Sequence, residues 1–295
     1  MFSRVLVPLD GSEVTEAILP YVSQLAKGLE IPIVVLAVID EHTHGQELVT
    51  KVESRASKRL REVVGQLGRD GVRAEAVTTK GRAADEIVAT AERQGCDLIA
   101  MTTQGSNLIA RGILGSVTDK VIHSSQLPVL TITPERAATY GGTWFRALTK
   151  ATERVMTKIM VPLDGSPLAE TVLPYVQALA RKLSLRVLLV RVIRGLSVEW
   201  LDWERGSDAD TKEEEAAEEA GKYLETVSEK LHGAGIDARW QVLVGHPVTM
   251  ITELAQQEPH DIIALATQRA HQWGLGSVAE ALVRGTGDPV LVVSP

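Results

Sequence analysis

Hydrophobic and polar positions alternate in a regular order along the chain. Short apolar runs are separated by longer stretches in which apolar residues recur three or four positions apart. This alternation predicts β-strands and α-helices in turn, and therefore a parallel sheet covered by helices on both faces. Pro20 lies inside the first helical pattern and is expected to kink that helix or to mark a turn. In the first half the predicted strands are Arg4–Pro8, Ile31–Ile39, Val72–Thr78, Asp97–Met101 and Pro128–Thr133, and the predicted helices are Glu13–Gly28, Glu47–Leu67, Ala83–Arg93 and Gly115–Ser125.

The same pattern occurs twice. Val-Pro-Leu-Asp-Gly-Ser stands at 7–12 and again at 161–166, and Gly-Ser-Val followed by Pro-Val-Leu closes both halves. Two copies of one domain explain the repeat. The second copy, from Lys158 to Ser294, gains ten residues between its second strand and the next helix and loses three in the loop after its fourth strand. We therefore predict a first domain over 1–134, a linker over 135–154 and a second domain over 155–295.

The stretch from Thr102 to Thr118 has the composition of an anion-binding loop. Gly105 and Gly115 lack a Cβ, so backbone amides can approach a ligand closely. Ser116 is expected to begin a helix, whose first amides are unpaired and partly positive, and a phosphate fits there. Ser116 to Asp119 also matches a capping box. Taken alone, the stretch is explained more simply by the cap, and the phosphate site stays the alternative.

Charge and cysteine content narrow the class of protein. The net charge is −7, and ten acidic residues lie between Glu199 and Glu219 with only Arg205 and Lys212 as bases. This acidic insertion indicates a solvated surface, and nucleic-acid binding is not expected without a basic stripe. No apolar run reaches the roughly 18 residues of a membrane span, and because the first residues lead directly into a strand pattern, no signal peptide is expected. A single cysteine, Cys96, favours a structural thiol and a cytoplasmic protein.

Other candidate chemistry is weaker. There is no Gly-x-Gly-x-x-Gly after a first strand and no Walker loop. His42 and His44 are more typical of an exposed loop than of a metal site. Asp10, and Asp164 in the second copy, stand at strand ends, where each could act as an acid or base or could form a turn or helix cap.

The motifs together resemble the universal stress protein family in its tandem two-domain form. ATP-binding members carry Gly-x2-Gly-x9-Gly-Ser/Thr, which is matched here by Gly105 and Gly115-Ser116, whereas Thr102 occupies the first glycine position. The resemblance implies an α/β fold with two repeated five-stranded parallel sheets in the order 3-2-1-4-5. It further implies a nucleotide site formed by Pro8, Asp10, Val38, Thr102, Thr103, Gly105, Ser106, Asn107, Gly115, Ser116, Val117 and Thr118.

The second copy departs from the motif. Ala266 stands in the place of Thr102, Arg269 replaces Gly105, and Ser277 begins a better capping box than Ser116 does. A structural role is therefore favoured in this half. Its weaker nucleotide-site candidates are Asp164, Val192, Gly276 and Ser277.

The resemblance predicts an adenine-nucleotide-binding stress or regulatory protein with little or no hydrolysis. The expected ligand is ATP, with ADP and AMP as alternatives, with or without Mg²⁺ and with no separate metal site. A slow ATPase and a ligand-free interaction scaffold are the competing functions. The last strands of the two copies are expected to pair within one chain, as in a pseudo-dimer, and a homodimer stays open.

Overall fold

A computed structural model describes residues 2–40, 46–105, 114–133, 156–194, 206–257, 262–268 and 277–294. These residues form a single sheet in which each half of the chain has the order 3-2-1-4-5 with parallel neighbours, as predicted. The ten strands of the described residues are β1 (Val5–Pro8), β2 (Ile33–Ile39), β3 (Ala74–Lys80), β4 (Leu98–Thr102), β5 (Val129–Ile132), β6 (Lys158–Pro162), β7 (Arg186–Ile193), β8 (Ala238–Val244), β9 (Ile262–Ala266) and β10 (Val290–Val293). Their order is β3-β2-β1-β4-β5-β10-β9-β6-β7-β8.

The two half-sheets are joined through β5 and β10. These strands run antiparallel, with Leu291 opposite Leu130 and Val292 opposite Val129. Both strands are buried along their length. Because an open apolar edge invites uncontrolled pairing, each half covers the edge of the other. The expected pairing of the last strands is confirmed.

Helices cover both faces of the sheet. The helices of the described residues are α1 (Glu13–Glu16), α2 (Leu19–Leu29), α3 (Gln46–Arg69), α4 (Ala83–Arg93), α5 (Ser116–Ser124), α6 (Pro167–Glu170), α7 (Leu173–Leu183), α8 (Gly206–Gly233), α9 (Pro247–Gln257) and α10 (Ser277–Gly285). One layer contains α2, α3, α7 and α8, and the other contains α4, α5, α9 and α10, each over its own hydrophobic core. Within the described chain, no helix is both long and apolar enough to cross a membrane.

The structure corrects several predicted boundaries. The stretch over Glu13–Gly28 is two helices, and Pro20 stands in the first turn of the second, where its missing N–H is not needed. Strands β2 and β3 begin two residues later than predicted. Ile31 and Val72 instead close the preceding helices, since their N–H groups donate to Ala26 and Leu67. An apolar residue just beyond a helix end commonly packs back on that helix, and the sequence pattern alone does not separate it from a strand residue.

Candidate functional site

A cavity of about 510 Å³ lies at the carboxyl ends of β1, β2 and β4. Strands β2 and β4 flank β1 on opposite sides, so the winding direction reverses at this point. Ligands of open α/β sheets bind at such reversal points. The lining residues are Pro8, Leu9, Asp10, Thr15, Leu36, Val38, Ile39, Asp40, Val52, Ala83, Ile87, Met101, Thr102, Gln104, Gly105, Gly115, Ser116, Val117 and Thr118.

The turn after β1 is built around Asp10. Its Oδ1 accepts hydrogen bonds from Ser12 N at 2.9 Å and from Thr15 Oγ1 at 2.7 Å. Ser12 in turn caps α1 by accepting a bond from Thr15 N. Gly11 has a φ of +81°, which glycine adopts without strain. Asp10 therefore forms a turn, which was one of its two predicted roles, and this turn fixes the carboxylate at the cavity wall.

The two ends of the loop after β4 are tied together. Gly115 N donates to Thr103 O at 2.8 Å, and Thr118 Oγ1 donates to Thr102 O at 2.9 Å. The Thr102 hydroxyl is itself used inside the loop, because it donates to Gln104 O at 2.6 Å. These bonds fix the position of Gly105 relative to Gly115 at the cavity wall.

The start of α5 differs from the predicted capping box. Gly115 is the N-cap residue and Ser116 is already helical, so no side chain caps this helix. The predicted role of Ser116 as a cap is wrong, because the residue lies one position too far into the helix. Within the described chain, the N–H groups of Ser116, Val117 and Thr118 have no hydrogen-bond acceptor. Three residues whose N–H groups lack an acceptor among the described residues therefore line the cavity at the positive end of a helix.

Most of the predicted first-half residues meet at this cavity. Pro8, Asp10, Val38, Thr102, Gly105 and Gly115 to Thr118 line it, whereas Ser106 and Asn107 lie outside the described residues. Thr103 does not line it. This residue is buried, and its N–H and C=O groups bond to Ile132 and Gly115, so it anchors the loop.

Sequence reasoning missed part of the wall. Thr15 lies on the turn next to Asp10, and its position three residues after Ser12 is the available signal. Met101 is the fourth residue of the buried strand β4, and Ile87 lies on the buried face of α4. Neither residue carries a local signal that assigns it to a cavity.

The second half has a different arrangement at the corresponding strand ends. Asp164 Oδ1 accepts a bond from Ser166 N at 2.8 Å, so the turn after the strand is kept. The guanidinium of Arg191 lies 5.2 Å from the ring centre of Tyr223 and packs on Gly165. Burial raises the pKa of Tyr223 above its usual value. The positions equivalent to Arg191 and Tyr223 in the first half are Ala37 and Arg59, so the two halves are not interchangeable here.

The remaining predicted residues are only partly described. Val192 is half-buried and packs on a hydrophobic core, and Ser277 begins α10. Gly276 and Arg269 lie outside the described residues, as do His42, His44, the linker over 135–154 and the insertion from 199 to 205. Cys96 is buried, which fits a structural thiol.

Comparison with known proteins agrees with this architecture. The sequence model of the universal stress protein family matches residues 1–133 and 156–294. The chain belongs to the universal stress protein family. A universal stress protein of Methanothermobacter thermautotrophicus is 32% identical over 133 residues, covering 42% of this chain and 90% of the relative. One from Methanocaldococcus jannaschii is 27% identical over 140 residues, covering 45% of this chain and 82% of the relative.

Solved structures show the same fold over the whole chain. A universal stress protein from Archaeoglobus fulgidus has a TM-score of 0.74 at 20% identity, and the match covers 99% of this chain and 98% of that one. A functionally unknown protein from Pseudomonas aeruginosa has a TM-score of 0.67 at 14% identity, covering 100% of this chain and 93% of that one. The tandem arrangement is therefore a property that this universal stress protein shares with other structures.

Proposed function

We propose that the first half of the chain binds one adenine nucleotide, with ATP preferred, in the cavity at the ends of β1, β2 and β4. The observation that carries the proposal is the start of α5, where three residues line a cavity with an apolar wall and have N–H groups without an acceptor among the described residues. A triphosphate satisfies donors at the positive end of a helix, and an apolar wall suits a purine base. The glycine spacing shared with ATP-binding family members supports the same ligand.

Each part of the nucleotide has a matching surface in the cavity. Val38, Ile87 and Met101 supply apolar surface for the base. Asp10 supplies a carboxylate, which accepts hydrogen bonds from ribose hydroxyl groups. Phosphates belong at the N–H groups from Ser116 to Thr118. Because Gly105 has no side chain, the loop backbone can approach them closely. A Mg²⁺ ion carried by the nucleotide is compatible with this arrangement.

We infer a binding and regulatory role in the cytoplasm, as part of a stress response, and not an enzymatic one. The described cavity lining includes two carboxylates, Asp10 and Asp40, and Oδ1 of Asp10 already accepts bonds from Ser12 and Thr15. A residue engaged in this way is poorly suited to activate a water molecule or to hold a metal with several partners. Turnover is therefore expected to be slow or absent.

Identification of bound nucleotide tests the proposal directly. The protein is purified and denatured, and released nucleotide is identified by chromatography and mass spectrometry. Stripped protein is then titrated with ATP, ADP and AMP by calorimetry. We expect one site per chain with ATP bound most tightly. If no nucleotide is released and no heat is seen up to millimolar ligand, the ligand-free scaffold is the better description.

A turnover assay separates binding from catalysis. The expected rate is well below about 1 s⁻¹, the lower end of ordinary enzymes. A steady rate above that level that is lost in the Gly115→Glu variant would identify an ATPase and overturn the regulatory role.

A further inference from the structure

Strand β8 is an unusual edge. It pairs with β7 on one side and ends the sheet on the other, as β3 does at the opposite end. Among the described residues, the large hydrophobic side chains that are exposed are Trp240 (42%) and Val244 (44%), and both belong to β8. An exposed apolar edge strand is a site at which another chain can add.

The repeat provides an internal comparison for this edge. Buried core residues of α3 and α8 correspond at a spacing of 164 residues, so the two edge strands can be aligned without ambiguity. These core pairs are Leu60 with Leu224, Val63 with Val227, and Leu67 with Leu231. At the same spacing, Trp240, Val242 and Val244 of β8 replace Ala76, Thr78 and Lys80 of β3.

The first-half edge is closed by polar side chains. Lys80 Nζ lies 3.3 Å from Glu53 Oε2, and the hydroxyl groups of Thr78 and Ser57 lie 3.3 Å apart. A charged residue on an edge strand blocks edge-to-edge pairing. The second half has lost these contacts, because apolar residues stand at the positions of Thr78 and Lys80. One edge of the sheet is therefore protected and the other is open.

Alternate residues of β8 turn their backbone hydrogen-bonding groups away from β7, where another strand can bond to them. Val187 N donates to Asp237 O at 2.8 Å, and Gly245 N donates to Ile193 O at 2.9 Å, so the odd-numbered residues bond to β7. In a regular strand, alternate residues turn both backbone groups to the same side. The N–H and C=O groups of the even-numbered residues therefore face away from the sheet. Those of Ala238 bond to His232 and Ser228 of α8 at 3.3 Å and 3.2 Å, which leaves Trp240, Val242 and Val244 as the available residues.

A shallow groove of about 530 Å³ runs beside these residues, between β8 and α8. We call it the β8 groove. Its lining includes the small residues Ala217 and Gly221, and a Cβ on Gly221 would lie 3.4 Å from the Trp240 ring. Glu218 and Glu225 also line it, together with Lys222, whose Nζ is held by Glu218 at 2.6 Å. Glu225 has no ion-pair partner among the described residues, so the groove keeps an excess of negative charge.

We propose that β8 is a docking edge for an extended segment of another protein that carries basic side chains. The segment adds to the sheet as an eleventh strand and bonds to the outward backbone groups of β8. Its side chains on the α8 side enter the β8 groove, where apolar parts contact Trp240 and cationic ends meet Glu218 and Glu225. Peptides commonly bind to exposed sheet edges by this form of strand addition.

Charge argues against a second copy of this chain as the occupant. Antiparallel pairing of two β8 strands would bring two α8 helices together on one face of the joined sheet. The described side chains of α8 carry more acids than bases, so the helices would repel each other. The acids are Glu213, Glu214, Glu215, Glu218, Glu219, Glu225 and Glu229, and the bases are Lys212, Lys222 and Lys230.

The test uses an eight-residue probe peptide that alternates Lys with Thr and Val, and a control peptide with Glu in place of Lys. Binding to the full chain is followed by residue-resolved amide hydrogen exchange in NMR spectra. We expect the Lys peptide to bind, to weaken with added salt, and to slow exchange at Trp240, Val242 and Val244. The amides of Arg239, Gln241 and Leu243 should change little, because they already bond to β7.

Two variants separate strand addition from loose surface contact. Val242→Pro removes an outward N–H without touching the ladder to β7, which edge strands tolerate. It should weaken binding at least tenfold while the spectrum of the folded protein is kept. The matched change Thr78→Pro on β3 should leave binding unchanged. Glu225→Lys should weaken binding of the Lys peptide and strengthen binding of the Glu peptide.

Three outcomes overturn the proposal. One is no binding of the Lys peptide at millimolar concentration, and another is binding that is insensitive to Val242→Pro. The third is a concentration-dependent dimer in sedimentation experiments that Val242→Pro dissociates, which would make a second copy the occupant. Nucleotide binding by the Val242→Pro variant is measured in parallel and should equal that of the parent, so this edge is tested independently of the nucleotide site.

Discussion

Oxygen Oδ2 of Asp10 lies 3.0 Å from the point that a Cβ on Gly105 would occupy. The two residues come from different strand ends, and the missing side chain lets the loop after β4 pass against the turn after β1. Gly105→Ala should push the Asp10 carboxylate or the loop away and weaken ATP binding about tenfold, as the loss of one charge-assisted bond would. Calorimetry on stripped protein measures the change.

Gly68→Ala is the matched control for that variant. A Cβ on Gly68 would meet nothing within 4 Å, and the residue lies inside helix α3. The control should bind ATP as the parent does and should gain up to about 1 kcal/mol of stability. Equal affinities for Gly105→Ala and the parent would show that close packing at Gly105 plays no part in binding.

The two halves should differ in nucleotide affinity. Gly115→Glu places a negative side chain at the cap of α5, where phosphates are proposed to bind, and should weaken ATP binding by several orders of magnitude. Gly276→Glu should leave binding nearly unchanged, since Arg269 and the shorter loop break the motif in the second half. Calorimetry on both stripped variants decides between them. Two equivalent sites in the parent would contradict this asymmetry.

The ion pair between Glu16 and Arg59 should stabilise the first half. Glu16 is 1% exposed, and both of its oxygens accept bonds of 2.6 Å from Arg59. Arg59→Leu would leave a buried carboxylate without this partner and should cost roughly 3 kcal/mol, near the lower end for a broken buried pair because Arg59 is itself partly exposed. Urea unfolding followed by circular dichroism measures the loss.

Arg284→Leu is the comparison for the ion-pair experiment. Arg284 pairs with Glu280 four residues earlier at 2.8 Å, and both side chains are about two-fifths exposed at 40% and 41%. Its replacement should cost less than about 1 kcal/mol, as is usual for exposed pairs. Similar losses in the two variants would show that burial of Glu16 does not matter.

The Cys96 thiol should react slowly. Burial raises the pKa of Cys96 from 9.0 to about 11, so at pH 8 the folded protein holds far less thiolate than the unfolded chain. Above pH 9 the Cys96 thiol ionises in the unfolded chain before it ionises in the folded protein, so its titration lowers the free energy of unfolding. Labelling with a disulfide reagent at pH 8 should be slow in buffer and complete within minutes in urea. Fast labelling of the folded protein would assign Cys96 a reactive role.

The sequence was informative where a local rule and the fold agree. The apolar runs locate all five strands of the first half, and Pro20 marks the break between two helices. The capping role predicted for Ser116 was wrong, because Gly115 occupies the N-cap position. A shift of one residue places Ser116 inside the first turn of the helix, where its side chain does not act as a cap. Thr103 was assigned to the ligand on family resemblance, yet its backbone is used to anchor the loop.

Local patterns do not encode strand order, which was predicted from the family resemblance alone. The cavity roles of Met101 and Ile87 depend on β2 and β4 flanking β1, and no pattern at either residue indicates them. Likewise, Trp240 in β8 has the pattern of an ordinary strand residue. Its exposure follows from β8 being the outermost strand, which no local pattern encodes.

The antiparallel joint between β5 and β10 gives the molecule two distinct ends. Strands of the first half point one way along the joint and those of the second half point the other, so their carboxyl ends emerge at opposite rims of one sheet. A ligand bound at the first rim and a protein bound at the second rim would not compete for space. Among the described residues, the two halves share the strand ladder at this joint and the hydrophobic core on each face of the sheet, so a signal between the two rims has these shared contacts as its routes.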